Sequence, residues 1–305
     1  MTSLLTNASA ITALQNLNAT NRSMQTTQDR ISTGMRVANA SDNAAYWAIA
    51  TTMRSDNSAL STVKDALGMG TATVDVTSSA MTSTSDLVSQ IKAKLVAARE
   101  PGLDRTKVQA EISQLQKQLK SVADSSVFSG ENWLSVDSGS AGFNTVKSIV
   151  SSFTRSAGSI TVGTIDVDID ATKLYDANGQ LGILDKSRTL NTTTGSVDAL
   201  DISSLTDSSA DQATLDDYIG IVDSALTDII SAASDLGAVK NRITMQTTFV
   251  ANLMDSVTKG VGQLVDADMS QESTRLQALQ VQQQLGVQSL SIANQNSQQI
   301  LSLFK

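Results

Sequence analysis

Three aspartates at alternate positions, Asp166, Asp168 and Asp170, suggest a calcium site. Alternating carboxylates begin the calcium-binding loop of an EF-hand, which also requires Gly at its sixth position and Glu at its twelfth. Here those two positions hold Ala171 and Ala177. The pattern therefore favours the solvent-exposed face of a strand, with calcium binding as the alternative.

Two glycines, Gly68 and Gly70, suggest a phosphate-binding loop, which needs a strand before it and a helix after it. No strand pattern precedes them and Gly70 lies in a helical apolar row, so a packing or flexing point within a helix is favoured. His and Cys are absent from the 305 residues, which removes imidazole catalysis, thiolate nucleophiles, disulfides and the common zinc ligands. We expect no catalytic residue, no cofactor and no metal ion.

The composition is typical of a protein built from long helices. It includes one Pro, 17 Gly and 3% aromatic residues, and 40% of the residues are apolar. The net charge of −8 argues against binding of nucleic acid, and no apolar run is long enough to span a membrane. No basic residue precedes Arg22, so an ordinary cleaved signal peptide is not expected.

Apolar residues spaced alternately by four and three predict an antiparallel helical bundle. The first row is expected to end at Pro101, because Pro disfavours the helical conformation of the residue before it. Thr106 with Gln109 suggests a capping box at the start of the second row, and Gly260 and Gly262 interrupt the third. The three rows run over residues 49–95, 108–122 and 215–261.

Both ends of the chain carry weaker apolar rows with few charged residues. Two helices alone cannot cover both rows, and an isolated helix pair is marginally stable in water. Such ends are expected to pack against copies of the same chain, and head-to-tail contacts that do not close into a ring build a helical filament. The predicted subunit-packing residues are Leu14, Leu17, Met24, Ile31, Met35, Leu276, Leu279, Leu290, Ile300 and Phe304.

Residues 137–209 have a different pattern, in which apolar residues alternate with small or acidic ones around residues 160–169. This period of two predicts strands, and Asn178-Gly179 indicates a turn. We expect a small β-rich insert that faces water.

Elsewhere, Trp47 and Trp133 are expected to anchor the bundle ends. The glutamines at 280 and 282–284 are expected to be buried amides that set the register between subunits, with a solvated face as the alternative.

Several short segments in the first and last parts of the chain together carry a resemblance to one protein family. They are residues 16–18, 29–37, 40–45, 48–50 and 53–54 in the first part, and residues 265–269, 282–283, 293–294 and 301–303 in the last. This set resembles the terminal signatures of bacterial flagellin over residues 1–135 and 210–305. Residues 43–47 and 128–134 are similar to the short flagellins of rhizobia and related alphaproteobacteria.

The resemblance implies an architecture and a mode of assembly. Residues 1–42 and 263–305 would form an inner coiled-coil domain, residues 43–136 and 210–262 a helical bundle, and residues 137–209 an outer insert. Family members leave the cell uncleaved through the flagellar type III export channel and fold their ends together beneath a cap protein. The implied partners are further copies of the chain, an export chaperone, the filament cap, hook-filament junction proteins and other flagellins.

One segment resembles a part of flagellin that plants perceive, and it contains Asp29, Arg30, Asp42 and Tyr46. Flagellins perceived by plants have a small residue where this chain has Tyr46, so the bulky ring predicts evasion of the plant receptor. Residues 91–98 resemble the site that an animal Toll-like receptor reads, but lack the arginines of stimulating flagellins. Evasion of both receptors is a hypothesis.

The expected fold is mainly α, with an antiparallel coiled-coil bundle formed by the N- and C-terminal thirds and a small β-rich central insert. The leading function is that of a structural subunit, secreted and assembled into the flagellar filament. A hook-filament junction protein and a secreted coiled-coil binding protein are the alternatives. An enzyme is the weakest of the hypotheses, since no motif such as a nucleophile elbow is present.

Overall fold

Long helices dominate the computed structural model, which describes residues 7–156 and 158–303 and the side chains of residues 7–156 and 158–295. The mainly helical class predicted from the sequence is confirmed. The chain forms two compact units, one of Met1–Ser58 with Met254–Lys305 and the other of Ala59–Leu253. The helices are α1 (Ala8–Thr33), α2 (Ala44–Ala97), α3 (Arg105–Ser125), α4 (Ser209–Val265) and α5 (Met269–Leu303).

Eight short strands lie between α3 and α4 and pair two by two. Three of the pairs are antiparallel and one is parallel, and no closed sheet forms in the described part of the chain. The antiparallel pairs are β1 (Val127–Phe128) with β2 (Glu131–Asn132), β4 (Val146–Ser156) with β5 (Ser159–Asp168), and β7 (Arg188–Leu190) with β8 (Thr193–Gly195); β3 (Ser135–Val136) runs parallel to β6 (Tyr175–Asp176).

The core of the second unit is formed by the predicted apolar rows of α2, α3 and α4. Every row position of α2 from Leu60 to Leu95 is buried, including the polar Thr77 and Thr84. Three ion pairs show that α2 and α4 run antiparallel in a constant register, because the α4 number falls as the α2 number rises. They join Asp75 to Lys240 (2.7 Å), Lys92 to Asp223 (2.5 Å) and Arg99, just after the end of α2, to Asp216 (3.0 Å).

The start of α3 differs from the predicted capping box. Asp104 is the N-cap residue, and its Oδ1 accepts a hydrogen bond from the Thr106 backbone at 3.1 Å. Gln109 is buried, donating to the Leu200 carbonyl (3.1 Å) and accepting from the Ile202 N–H (3.0 Å). The capping-box prediction was wrong because the Gln109 side chain bonds to the backbone of a distant loop instead of to the start of α3.

The β4–β5 hairpin has one buried and one exposed face, as its alternating pattern predicts. Ile165, Val167 and Ile169 are buried, whereas Asp166, Asp168 and Asp170 are exposed on the other face. In the part of the chain that the structure describes, no three acidic groups are placed to hold a metal ion, and no helix there is long and apolar enough to cross a membrane.

Gly70 lies where the hairpin packs closely against α2. A Cβ atom at Gly70 would lie 2.6 Å from Ile149 Cγ2 and 2.9 Å from Ile149 Cδ1, whereas a Cβ atom at Gly68 would meet nothing within 4 Å. Gln246 of α4 holds the same strand by donating to the Ser151 carbonyl at 2.9 Å. The two glycines therefore have different roles in one helix.

Alanine substitutions at these two glycines should have opposite effects. Gly70→Ala should lower the free energy of unfolding by about 1–3 kcal/mol, because the new methyl group collides with buried Ile149. Gly68→Ala is the matched control and should raise it by about 0.5–1 kcal/mol through better helix propensity. Urea unfolding of both variants measures the difference. Equal effects of the same sign would refute the close packing at Gly70.

A buried ionic cluster supports the turns around β6. Lys173 Nζ lies 2.8 Å from Asp170 Oδ1 and 3.0 Å from Asp176 Oδ2, and Lys173 is only 2% exposed. Burial alone would raise the pKa of Asp176, but hydrogen bonds from the Ser138 backbone, from Lys173 and from the Asn178 backbone hold that pKa at about 2. Asp176 is therefore a carboxylate at neutral pH, and Lys173 balances its charge.

Candidate functional site

Helix α1 has well-defined ends that follow from its sequence. Asn7 is the N-cap residue, and its Oδ1 accepts a hydrogen bond from the Ala10 N–H at 3.0 Å. At the other end, Gly34 has a φ of 69°, the left-handed conformation that commonly ends a helix at Gly. Arg30 lies in the last turn, where the helix dipole favours a positive charge.

Helices α1 and α5 form an antiparallel pair in a fixed register. Asn7 Nδ2 donates to the Ala293 carbonyl, and moving along α1 leads to partners progressively nearer the start of α5. The contacts in order are Asn7 with Ala293 (2.9 Å), Leu17 beside Gly286, Asn21 with Gln283 (2.9 Å) and Arg30 with Glu272 (3.0 Å). The contacts of Asn7 and Arg30 lie near the two ends of α1, so α5 pairs with α1 along most of its length.

A small apolar cluster closes the end of this pair. Val37, Ala50, Val261 and Val265 are buried together, with Met53, Val257 and Leu264 packed against them. Around it, the Val265 carbonyl accepts hydrogen bonds from the Arg36 N–H (2.6 Å) and the Val37 N–H (3.2 Å), and the Gly34 carbonyl accepts from the Ala267 N–H (2.9 Å). The turn after α1 and the turn before α5 are thus joined.

Helix α4 continues through both of its late glycines into this cluster. The sequence predicts an interruption at Gly260 and Gly262, but the helix ends only at Val265. The prediction was wrong because an internal glycine costs a helix only about 1 kcal/mol, which burial of Val261 and Val265 offsets.

The predicted subunit-packing residues occupy different environments in the described chain. Leu279 is buried, Leu14 is 48% exposed, and the side chains of Ile300 and Phe304 lie outside the described residues. The remaining positions are half-buried: Leu17, Met24, Ile31, Met35, Leu276 and Leu290. Most of the described residues of this set are therefore partly covered in the pair of α1 with α5. Part of their surface stays exposed in the single subunit.

Helix α5 has a second apolar row that the sequence analysis missed. Val281, Leu285 and Ile292 are 55%, 58% and 59% exposed. Their spacings of four and seven residues place them on one helix face, opposite the face where Leu279 and Gly286 meet α1. We call these three residues the outer row. More than half of the surface of each of these side chains is exposed in the described chain.

The glutamines of α5 divide between two surroundings. Gln283 is half-buried and donates to Asn21 Oδ1, so it sets the register of α5 against α1 of the same chain. Gln280, Gln282 and Gln284 are exposed. Within the subunit, the solvated alternative therefore holds for these three residues.

The residues of the receptor-like segment have structural partners in two cases. Arg30 pairs with Glu272, and Asp42 Oδ2 accepts hydrogen bonds from the backbone of residues 38 and 39 at 3.0 Å each. Asp29 is exposed at the end of α1, and Tyr46 is exposed in the first turn of α2. Evasion of the two receptors stays a prediction, which dosing of purified monomer in each receptor assay would check.

The two tryptophans differ in how deeply they are buried. Trp133 is buried at 4% exposure and donates to Glu131 Oε2 at 3.2 Å, whereas Trp47 is exposed on α2. Anchoring of a bundle end therefore stays a prediction for buried Trp133, while the exposure of Trp47 does not fit that role within the described subunit. Trp133 can report on unfolding of the second unit, in which it lies.

Loss of the Arg30–Glu272 pair should loosen α1 from α5. Glu272 is buried and its Oε2 has no hydrogen-bond partner in the described chain, so Arg30→Ala would leave a buried carboxylate without its cation. We expect a loss of about 1–2 kcal/mol, measured as faster amide exchange in α1. Arg22→Ala is the control, because the exposed Arg22 side chain donates to the Asn18 carbonyl of its own helix. Equal exchange in the two variants would contradict the prediction.

Comparison with known proteins gives the same signal at both ends of the chain. Residues 4–138 match the family model for the bacterial flagellin N-terminal helical region, and residues 219–304 match that for the C-terminal helical region. Flagellin C of Rhizobium meliloti (strain 1021) is 51% identical, and Flagellin A of Rhizobium meliloti is 43% identical. A flagellin of Brucella melitensis biotype 1 is also 43% identical. Each comparison covers 100% of both chains.

Proposed function

Because the chain belongs to the bacterial flagellin family and is a structural subunit of the flagellar filament, we propose that the outer row of α5 packs against neighbouring copies. The observation that carries this proposal is the exposure of Val281, Leu285 and Ile292 on the face opposite α1. Apolar side chains at regular spacing on one helix face are typical of a helix that is covered on that face. In a self-assembling subunit the cover is another copy.

In this proposal the two faces of α5 contact different partners. The buried and half-buried members of the predicted packing set hold α1 and α5 together, with Leu279 buried and Gln283 setting the register. The paired helices then present the outer row to other subunits. Burial of one large apolar side chain contributes about 1.5–3 kcal/mol, so three per subunit would stabilise a filament strongly.

The three-part division of the chain is part of the same proposal. In the filament, residues 1–42 and 263–305 form the inner coiled-coil domain, residues 43–136 and 210–262 the helical bundle, and residues 137–209 an outer insert. The high proportion of exposed polar and acidic residues in the hairpin supports a solvent-facing insert. The marginal stability of an isolated helix pair supports an inner domain completed by assembly.

Export and partners follow from membership of the family. We propose that the chain leaves the cell through the flagellar type III route and assembles extracellularly beneath a filament cap. An export chaperone, hook-filament junction proteins and other flagellins are its further partners. The function proposed is purely structural, without a catalytic residue, cofactor or metal ion, and without nucleic-acid or membrane binding.

Removal of residues 292–305 tests the proposal. The truncated chain should keep the fold of its second unit, reported by the emission of buried Trp133, and should form no filaments when mixed with filament seeds. Sedimentation and electron microscopy measure the polymer, with the full-length chain as control. Filaments of normal length from the truncated chain would refute a role for the C-terminal helix in assembly.

A further inference from the structure

We propose that Asn178 is a site of spontaneous deamidation, at which the side-chain amide leaves as ammonia and an acidic residue remains. Asn178 and Gly179 lie in the exposed turn after β6. Gly179 has a φ of 93° and Gln180 a φ of 52°, so two successive residues adopt the left-handed conformation that favours Gly and Asn. The role in assembly neither requires nor forbids this chemistry.

The reaction is an intramolecular attack followed by hydrolysis. The Gly179 backbone nitrogen, after losing its proton to base, bonds to Asn178 Cγ, and the bond from Cγ to Nδ2 breaks as Nδ2 takes up a proton from the protonated base and leaves as ammonia. The product is a five-membered cyclic imide. One water molecule then opens either carbonyl of the imide, which gives aspartate or isoaspartate. No oxidant, metal or enzyme is needed.

The surroundings of Asn178 leave both reacting groups available. Among the described residues, no hydrogen bond engages the Asn178 side-chain amide or the Gly179 N–H. The amide rests against Gly139, where a Cβ atom would lie 2.4 Å from Nδ2. Gly179 has no side chain, so nothing on that residue hinders the approach of its nitrogen to Cγ.

Asn191 provides an internal comparison in the same chain. It also has a positive φ, 47°, and is exposed in the turn between β7 and β8. Its Nδ2, however, donates to Asp217 Oδ1 at 2.6 Å, and the residue that follows is the β-branched Thr192. The amide is held and the neighbouring nitrogen is crowded. Asn191 should therefore keep its amide while Asn178 loses it.

Isoaspartate at position 178 would disturb the turn that holds β3 beside β6. The Asn178 carbonyl accepts a hydrogen bond from Ser138 Oγ at 2.9 Å, and the Gln180 N–H donates to the Asp176 carbonyl at 3.2 Å. Isoaspartate adds one methylene group to the main chain between these bonds, and both products add a negative charge beside Asp176. Older subunits would thus carry a persistent covalent change that newly made subunits lack.

The experiment follows the folded full-length protein during prolonged incubation in mildly alkaline buffer. Peptide mapping by mass spectrometry, with enzymatic methylation of isoaspartate, should find the amide-to-acid change in the peptide containing Asn178, with Asn191 unchanged. The variant Asn178→Gln should lose the isoaspartate signal. The same chain unfolded in urea serves as the positive control. Retention of the Asn178 amide in the folded protein, while the unfolded chain loses it, would overturn the proposal, as would equal reaction at Asn191.

Discussion

A subunit in which Val281, Leu285 and Ile292 are replaced by serine should remain folded as a monomer and fail to form filaments. All three side chains are more than half exposed in the subunit, so their replacement removes little buried contact there. In the filament they would be covered, and each would lose about 1.5–3 kcal/mol of apolar burial. The substitution therefore separates assembly from folding.

The expected effect on assembly is large. A combined loss of about 5 kcal/mol or more per subunit raises the critical concentration by roughly three to four orders of magnitude, since each 1.4 kcal/mol is a factor of ten. Sedimentation of polymer from a concentration series measures this value. Far-UV circular dichroism of the monomer checks that the helices are retained.

The insert offers a matched control with the same number of substitutions. Ile160, Val162 and Leu181 are apolar and similarly exposed, and all three lie within residues 137–209. Their replacement by serine should leave the critical concentration unchanged, because the insert is proposed to face water. Normal polymerisation of the Val281, Leu285 and Ile292 variant, or loss of polymerisation in the control, would contradict the assignment of the outer row.

Replacement of Lys173 by methionine should be the most destabilising single change among the charged residues of the insert. It leaves the Asp176 carboxylate buried without its cation, and breaking a buried ion pair on one side costs about 3 kcal/mol or more. The double substitution of Lys173→Met with Asp176→Asn removes both charges and should recover most of that loss. Urea unfolding followed by Trp133 fluorescence in a Trp47→Phe background measures all three proteins.

The destabilisation by Lys173→Met should depend on pH with a defined sign. The pKa of Asp176 is about 2 in the folded chain, below its usual 3.8, so its contribution to stability is present above about pH 4 and is lost as the pH falls toward 2. In the variant, protonation relieves an unbalanced buried charge. The difference between wild type and variant should therefore shrink as the pH falls through this range. A difference that stays constant or grows would show that the ion pair is not its cause.

Sequence patterning was sufficient for the bundle and for the hairpin. Long helices bury one continuous face, so the row from Leu60 to Leu95 repeats often enough to be recognised, even through Gly70 and Thr84. The hairpin shows a period of two because one face, with Ile165 and Val167, is buried and the other is wet. In both cases burial imposes a repeating constraint on the residues themselves.

Single side-chain contacts were not predictable in this way. Gln109 follows a helix start at a spacing that fits a capping box, yet it bonds to a loop more than 90 residues later in the chain. Gln283 meets Asn21 across 262 positions of sequence. Such partners depend on how distant segments are brought together, and no local spacing encodes that arrangement.

The candidate packing surface could be predicted only in part from the sequence. Few charges and weak apolar rows showed that the chain ends need cover, but the rows did not show which helix face another copy would occupy. Helix α5 has Leu279 on one face and Val281 with Leu285 on the other, so a single apolar row does not describe it. The spacing of Val281, Leu285 and Ile292 was the available signal.

The pairing of α1 with α5 can form only in a chain that has been synthesised almost to its end. Asn7 bonds to Ala293 across 286 positions, so the first helix to leave the ribosome must wait for the last before it has a partner. A fragment that stops short of Glu272 offers α1 nothing to pair with, and it also lacks the outer row. With the proposed role of the outer row in assembly, a prematurely terminated chain lacks both the partner of α1 and a packing surface, so we expect it to stay out of the filament.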